Sequence, residues 1–374
     1  MKKPSVVFLR GDNLCKWEMQ NYEPLQNAFD LCAVVPSLNK KLIDGISFPV
    51  IPVKKDLFGG RDDYEKNIAK TVRSADIIHC AELSNVYSLE AIRLKKKGQA
   101  RWVVNSVWQN IPFSHFFNAR YDKAIRQTIL DETDLFLAVT QRAKQALLLE
   151  GADAEKIVVQ GMGVDLSVFK PRARETLQAV LPNVPRDKVI VLSAGRMVWA
   201  KGFHQILFAV KALSEDERDK IHLVFIGDGE FLPIIRSLVD ALGLGGHVTQ
   251  VPHIPYAEMA LVHALADIFI LMSDNLPSWQ EQYGMVLVEA MASKSCVVTT
   301  TSGSIPEVVG EDAFLVPAGD FLSLKERLER LLQSRELIEA YQRKALERAR
   351  RLFDAGKVSE KIGKMYQGLL SHNP

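Results

Sequence analysis

A tandem of two α/β domains, each a doubly wound parallel sheet, is the fold this sequence predicts, and three observations predict it. Short apolar runs of strand length alternate with longer helical patterns along the chain, the order that builds parallel sheets covered by helices. At 374 residues the chain exceeds what a single core usually fills. Near its middle a stretch over 160–185, with Gly161, Gly163, Pro171, Pro182 and Pro185, interrupts the alternation.

Taken in order, the first half predicts strands at 6–9, 32–35, 77–79, 102–105, 135–139 and 157–159, with helices between them at 88–97 and 141–150 among others. The second half predicts strands at 189–193, 222–226, 248–251, 268–271, 296–299 and 314–316, and helices at 203–213, 230–242, 256–264 and 322–332. The junction falls near Lys170. It divides the chain into an N-terminal domain over 1–169, a second over 170–352, and a C-terminal helix over 353–374 that packs back on the first. Residues 335–370 carry long helical runs and no further strand. Ligands of open α/β sheets sit at the carboxyl ends of the strands. Two such domains therefore predict a cleft between them, with one substrate held per domain.

Composition narrows the partners. Hydrophobic residues at 47% and charged residues at 25% are ordinary for a globular protein, and a formal charge of +2 gives no reason to expect nucleic acid. Basic residues do cluster locally, at Arg93, Lys95, Lys96 and Lys97 and again at Arg120, Lys123 and Arg126. Such clusters suit anionic headgroups or a phosphorylated acceptor, and equally a solvated helix face. Cys15, Cys32, Cys80 and Cys296 share no C-x-x-C spacing, which fits a reducing, cytoplasmic compartment. The apolar run before Arg10 is too short for a signal-peptide core. No run approaches the ~20 residues of a membrane span, so the expectation is a soluble protein, with peripheral contact at the inner membrane face left open.

The chemistry concentrates in 273–292, SDNLPSWQEQYGMVLVEAMA. A polar loop carrying Glu281 leads through Tyr283 and Gly284 into an apolar helix that contains Glu289. A carboxylate inside an apolar helix needs a partner; sugar hydroxyls would serve, and so would a core Arg or Lys. The start of that helix offers free backbone N–H groups to an anion. In the loop SAGRMVWAKG, 193–202, Arg196 and Lys201 follow a strand and are flanked by glycines, a suitable pair of cations for a diphosphate. IGDGE, 226–230, gives a tight turn with Asp228 placed to cap the next helix, and Ser304 with Glu307 has the S-x-x-E capping-box spacing. In the first half, Gly11 follows the first strand, and NSVWQNIPF with His115 beyond it follows the fourth. His79, ending a strand, reads as a core histidine or as a residue facing the cleft. No H-E-x-x-H, His-x-His or D-x-D stands where a metal would help, and adjacent pairs such as Asp62–Asp63 and Glu311–Asp312 chelate poorly, so neither metal nor cofactor is expected.

These residues resemble the retaining glycosyltransferases of family 4, which have the GT-B fold of two Rossmann-like domains. EQYGMVLVEAMA matches that family's paired-glutamate motif, AGRMVWAKGF its diphosphate loop, GDGEF its glycine turn, SGSIPEVV the following loop and GVDLSVF its interdomain connector. The resemblance is strong over 157–333. It implies that Arg196, Lys201 and Glu281 are catalytic, the cations holding a donor diphosphate and Glu281 contacting the transferred sugar. Glu289 would bind the ribose hydroxyls, and Gly195, Gly227, His253, Ile254, Tyr283, Gly284, Met285 and Val286 would line the donor. On the acceptor side the implied residues are Gly11, Trp108, Gln109, Asn110 and His115. Two departures stand there: Gly11 is followed by Asp12 rather than a second glycine, and Trp108-Gln109-Asn110 occupies the place where the family commonly has a histidine.

The implied activity is metal-independent, retaining transfer of a sugar from a nucleotide-diphosphate sugar to a hydroxyl of a carbohydrate, lipid-linked or small-molecule acceptor. The rivals are a nucleotide-sugar epimerase on the same fold and a catalytically silent nucleotide-sugar-binding protein. A dinucleotide oxidoreductase is disfavoured, because neither domain's first strand is followed by G-x-G-x-x-G.

Overall fold

The structure, a computed structural model, describes residues 2–11, 14–36, 38, 43–53, 67–114, 123–173, 181, 183–185, 187–251 and 254–372. His115, Arg120, Asp62, Asp63, Pro252 and His253, all singled out above or adjacent to such residues, lie outside them. The chain divides into two compact units, the first made of 1–162 with 355–374 and the second of 163–354.

In the first unit the strands are β1 Ser5–Leu9, β2 Asp30–Val35, β3 Val50–Pro52, β4 Ala75–Ala81, β5 Ala100–Val107, β6 Leu135–Ala138 and β7 Ile157–Val159. They form one sheet in the order β3-β2-β1-β4-β5-β6-β7, parallel throughout. Its strands are apolar on both faces because both are covered. Val7, Leu9, Ile78 and Cys80 pack with Ala91, Ile92 and Leu94 of the helix Val86–Lys96. On β1 and β4, Phe8 lies beside His79 in register, and the two rings stand 5.5 Å apart. They meet Tyr22 and, from the last helix, Tyr366.

That last helix, Ala355–Ser371, buries Ala355, Val358, Ser359, Ile362, Gly363 and Tyr366, a stripe with the spacing of one helical face. Tyr366 stacks edge-on against Phe29 at 5.5 Å and bonds His79 Nδ1 through its hydroxyl at 2.5 Å.

The second unit contains β8 Val189–Ala194, β9 Ile221–Ile226, β10 Val248–Val251, β11 Ile268–Leu271, β12 Cys296–Thr300 and β13 Phe314–Val316. The order is β10-β9-β8-β11-β12-β13, again parallel. Its core joins Phe203, Ile206, Leu207 and Val210 of the helix Phe203–Lys211 to Phe225, Ile235, Val239, Leu324 and Leu328. The helix Arg335–Leu352 is tied to the sheet through Asp267. That carboxylate takes hydrogen bonds from Arg335 at 2.8 Å and from the Ile190 N–H at 2.9 Å.

Each predicted strand is present, and β3 is added. Its sequence, VIP, is short, half-exposed and ends in proline, so it carries little strand signal. The first division falls at residue 162 rather than 169, and the second at 354 rather than 352. The reason is local. The Val164 N–H donates to the Phe353 carbonyl at 2.8 Å, and the Phe169 ring packs 5.5 Å from Tyr256, so 163–169 belongs to the second unit.

The basic cluster of the first unit is largely paired. Arg93 meets Glu90, Lys95 meets Asp134 at 2.5 Å, and Lys96 meets Glu132 at 2.8 Å; Arg126 is buried against Glu150. Among the described residues no helix is long and apolar enough to cross a membrane.

Candidate active site

In the second sheet β8 lies between β9 and β11, so the chain's crossovers diverge on either side of it. A crevice opens at such a point, outside the carboxyl ends of the strands. The loop after β8 holds Gly195, Arg196 and Lys201, the turn after β9 holds Gly227, and the segment after β11 holds Ser273 and Glu281. These turns are brought together by close backbone approach. Gly227 has φ 137°, and a Cβ there would stand 1.9 Å from the Gly195 carbonyl oxygen; one on Gly202, φ 68°, would stand 2.0 Å from that of Met272. Only glycine fits either place.

Glu281 is 6% exposed. Its Oε2 accepts from Lys201 Nζ at 2.5 Å and from the Ser273 hydroxyl at 2.6 Å. Its backbone is held as firmly, with the N–H donating to Ser302 Oγ at 3.2 Å and the carbonyl accepting from the Ser304 N–H at 2.9 Å. Lys201 Nζ also sits 5.1 Å from the centre of the Trp279 ring, within range of a cation–π attraction. The two residues, 80 positions apart in sequence, thus form one part-buried ion pair. Arg196 is exposed and makes no ion pair with the described residues.

Glu289 is 4% exposed and has partners other than the core Arg or Lys considered above. Oε1 accepts from the Tyr256 hydroxyl at 3.1 Å, and Oε2 lies 3.2 Å from His263 Nε2. The ring nitrogen facing a carboxylate carries the proton, which fixes the His263 tautomer. Both partners come from the helix Tyr256–Leu265, and Glu289 from the helix Met285–Ala292. Gly284 precedes the latter helix with φ 81°; Tyr283 is buried, while Met285 and Val286 are half-buried in its first turn. Ile254 is buried.

Two capping expectations are corrected. Ser304 has φ −93° and ψ 2°, not the extended backbone an N-cap side chain needs, and makes no side-chain cap bond. Its N–H serves Glu281 instead. Asp228 accepts from the neighbouring Gly229 N–H, and the following helix Leu232–Ala241 is preceded by Phe231 without a side-chain cap. A full capping box does occur at Ser214 and Glu217.

On the first unit, Gly11 is buried with φ 58°. The Gln109 side chain organises its own loop, donating to Ser114 Oγ at 2.6 Å and accepting from the Asn110 and Ile111 N–H groups. Asn110 is buried. Trp108 is half-buried, edge-on to Trp17 at 5.5 Å, and its N–H donates to Glu82 Oε1 at 3.0 Å.

His79 is a core histidine, bonded by Tyr366 on one side and by Ser106 Oγ at 2.8 Å on the other. Burial, with the Arg10 charge adding to it, holds its pKa well below the usual histidine value. Arg10 itself is buried against Glu18 at 3.0 Å.

Glu82, His263, Tyr256 and Ser302 were not singled out from the sequence. The one available signal was His263, a lone polar group in the apolar run MALVHALA. Among the described residues no cluster of three or more His, Cys, Asp or Glu could hold a metal ion.

Known proteins fit this picture. Residues 177–348 match the family model of glycosyl transferases group 1. The chain is 32% identical over 189 residues to the D-inositol 3-phosphate glycosyltransferase of Mycobacterium tuberculosis, covering 49% of this chain and 37% of that protein. Its structure is similar to that of Anabaena Alr3699/HepE in complex with UDP and glucose, with a TM-score of 0.82 at 18% identity over 98% of this chain and 100% of that one. It is also similar to sucrose-phosphate synthase from Thermosynechococcus elongatus, with a TM-score of 0.80 at 18% identity over 99% and 100%. Residues 177–348 thus match the glycosyl transferases group 1 family model, and the fold of the chain is the GT-B fold of two Rossmann-like domains.

Proposed function

We propose that this enzyme moves a sugar from a nucleoside diphosphate donor, with UDP as the nucleotide, to an acceptor hydroxyl with retention of anomeric configuration and without a metal. The observation that carries the proposal is the contact of Lys201 with Glu281 at the carboxyl ends of β8 and β11. UDP as the nucleotide is suggested by the similar HepE structures, which hold UDP, UDP with glucose, or UDP-glucose.

Breaking the anomeric C–O bond leaves negative charge on the departing diphosphate. Lys201, with Arg196 and the N–H groups at the start of the helix Met285–Ala292, would stabilise that charge electrostatically. Glu281 holds the Lys201 ammonium in place and would contact the transferred sugar. Glu289, oriented by Tyr256 and His263, would accept from the ribose. In a same-face displacement the acceptor oxygen bonds to the anomeric carbon as the C–O electron pair leaves with the phosphate. The acceptor proton passes to the departing phosphate oxygen. The proposed setting is cytoplasmic.

Thermal-shift measurements with a panel of nucleoside diphosphates and their sugars test the proposal, since a ligand that binds only the folded state raises the melting temperature. UDP and UDP-glucose should give the largest rise, and Arg196→Ala and Lys201→Ala should each remove it. A wild-type protein indifferent to every nucleotide would overturn the proposal.

A further inference from the structure

Open α/β sheets hold their substrates at the carboxyl ends of the strands, yet the first sheet also has a cavity at its amino end. Its volume is about 770 Å³, within the roughly 300–1,000 Å³ of small-molecule sites. The starts of β1 and β2 line it, with β3, with Arg73 and Ser74 ahead of β4, and with Leu370 of the last helix.

The floor is apolar, and strand register explains why. Val7 pairs with Cys32, and Val34, two residues further along β2, pairs with Ile51. These four side chains therefore share one face of the sheet. A parallel sheet normally has both faces covered. The helix Val86–Lys96 covers this face over β1 and β4, where Val7, Ile78 and Cys80 pack with Ala91 and Leu94. Toward β3 the cover thins among the described residues: Ile51 is 39% exposed and Cys32 is half-buried.

Cations outnumber carboxylates in the lining. Lys2, Lys3, Arg73 and Arg101 are set against Asp30 and Asp76. Asp76 is already committed, since its Oδ2 accepts from the Ser5 N–H at 2.8 Å and the Ser5 hydroxyl at 3.1 Å, and its Oδ1 lies 3.7 Å from Arg101. Lys3 donates to the Gln26 carbonyl at 2.7 Å. Lys2 and Arg73 have no ion pair among the described residues. That leaves a surplus of positive charge beside an apolar floor, which complements an anionic head on an apolar body. A flat anionic bilayer fits less well, because the floor is recessed and the exposed Asp30 would meet the same negative surface.

We propose that this cavity is a binding site for a soluble amphiphilic anion, a carboxylate or phosphate monoester carried on an aliphatic or aromatic body. Lying at the amino ends of the strands, it is separate from the site of the sugar transfer proposed above and does not depend on that reading. The head is held by Lys2 and Arg73, and the body lies on Cys32 and Ile51.

The test is calorimetry on the full chain, with separate arms for n-octyl phosphate below its micelle concentration, n-octanol, inorganic phosphate, and phosphatidylglycerol vesicles. Alkylation of Cys32 by N-ethylmaleimide, read by mass spectrometry, reports occupancy, because Cys15, Cys80 and Cys296 are buried. We expect octyl phosphate to bind, to slow the alkylation of Cys32, and to bind more tightly than octanol or inorganic phosphate. Lys2→Glu with Arg73→Glu should weaken octyl phosphate about tenfold and leave octanol binding unchanged. Ile51→Asn should weaken octyl phosphate and octanol alike. The proposal is overturned if octyl phosphate fails to bind or leaves Cys32 alkylation unchanged. It is equally overturned if the charge-reversed protein binds octyl phosphate as tightly as wild type, or if the protein binds the vesicles alone.

Discussion

At the scale of single residues, the part-buried Lys201–Glu281 pair sets the energetics of the candidate site. Removing one partner of such a pair leaves the other's charge uncompensated and costs about 3–5 kcal/mol. Lys201→Ala should therefore lower stability to urea by roughly that amount, and Lys201→Ala with Glu281→Gln should recover most of it while still failing to bind UDP. Tyr256→Phe removes one of the two donors on Glu289 and should cost about 1–3 kcal/mol. Glu82 acts in the opposite direction. Because its folded pKa lies above its ordinary value of 4.5, the folded protein holds a proton that the unfolded chain releases. Its contribution to stability is thus full below pH 4.5 and lost as pH rises through about 7. Glu82→Gln should flatten that slope in pH-dependent urea denaturation. The two glutamates eight apart were legible from their spacing, and so was the loop carrying Arg196 and Lys201. Partnership was not, because a histidine in an apolar helix looks the same whether it meets Glu289 or only packs on Phe269.

At the scale of elements, the turn from β8 into the helix Phe203–Lys211 depends on a residue without a side chain. Gly202→Ala would force a methyl group to 2.0 Å from the Met272 carbonyl in a left-handed backbone. A loss of at least about 2 kcal/mol is expected, with weakened UDP binding because Lys201 is the preceding residue. Chemical denaturation and calorimetry would measure the two effects. Helices and strands with a clear apolar period were readable from sequence, as at Phe203–Lys211 and in β8 and β9. Two features were not. β3 is held by pairing to β2 rather than by its own composition, and Ser304 lost its cap role to a backbone contact with Glu281 that no local pattern encodes.

At the scale of the whole molecule, the first unit is discontinuous in sequence. Its sheet is made by 162, and its final helix arrives after 354. Ending the chain after Asp354 should expose Phe29 and His79 and strip hydrogen-exchange protection from β1 and β4, while β8–β13 keep theirs. His79 adds a pH dependence of its own. Its folded pKa lies below its ordinary value of 6.5, so its contribution is present above pH 6.5 and is lost as acid protonates the unfolded chain. Hydrogen exchange should show that loss in β4, and His79→Asn should reduce it. The return of the chain was partly visible as helical runs past 335, but the Tyr366 contact that anchors them joins positions 287 apart.

The order of manufacture on the ribosome follows from that discontinuity. The sheet that emerges first waits while about 190 further residues are made, roughly 10–40 s at bacterial and eukaryotic rates of about 5–20 residues per second. Throughout that interval Phe29 and His79 lack the helix that later shelters them. The segment translated second, being continuous, is the one able to mature first, and a nascent chain paused before Ala355 presents a sticky aromatic face to any holdase nearby.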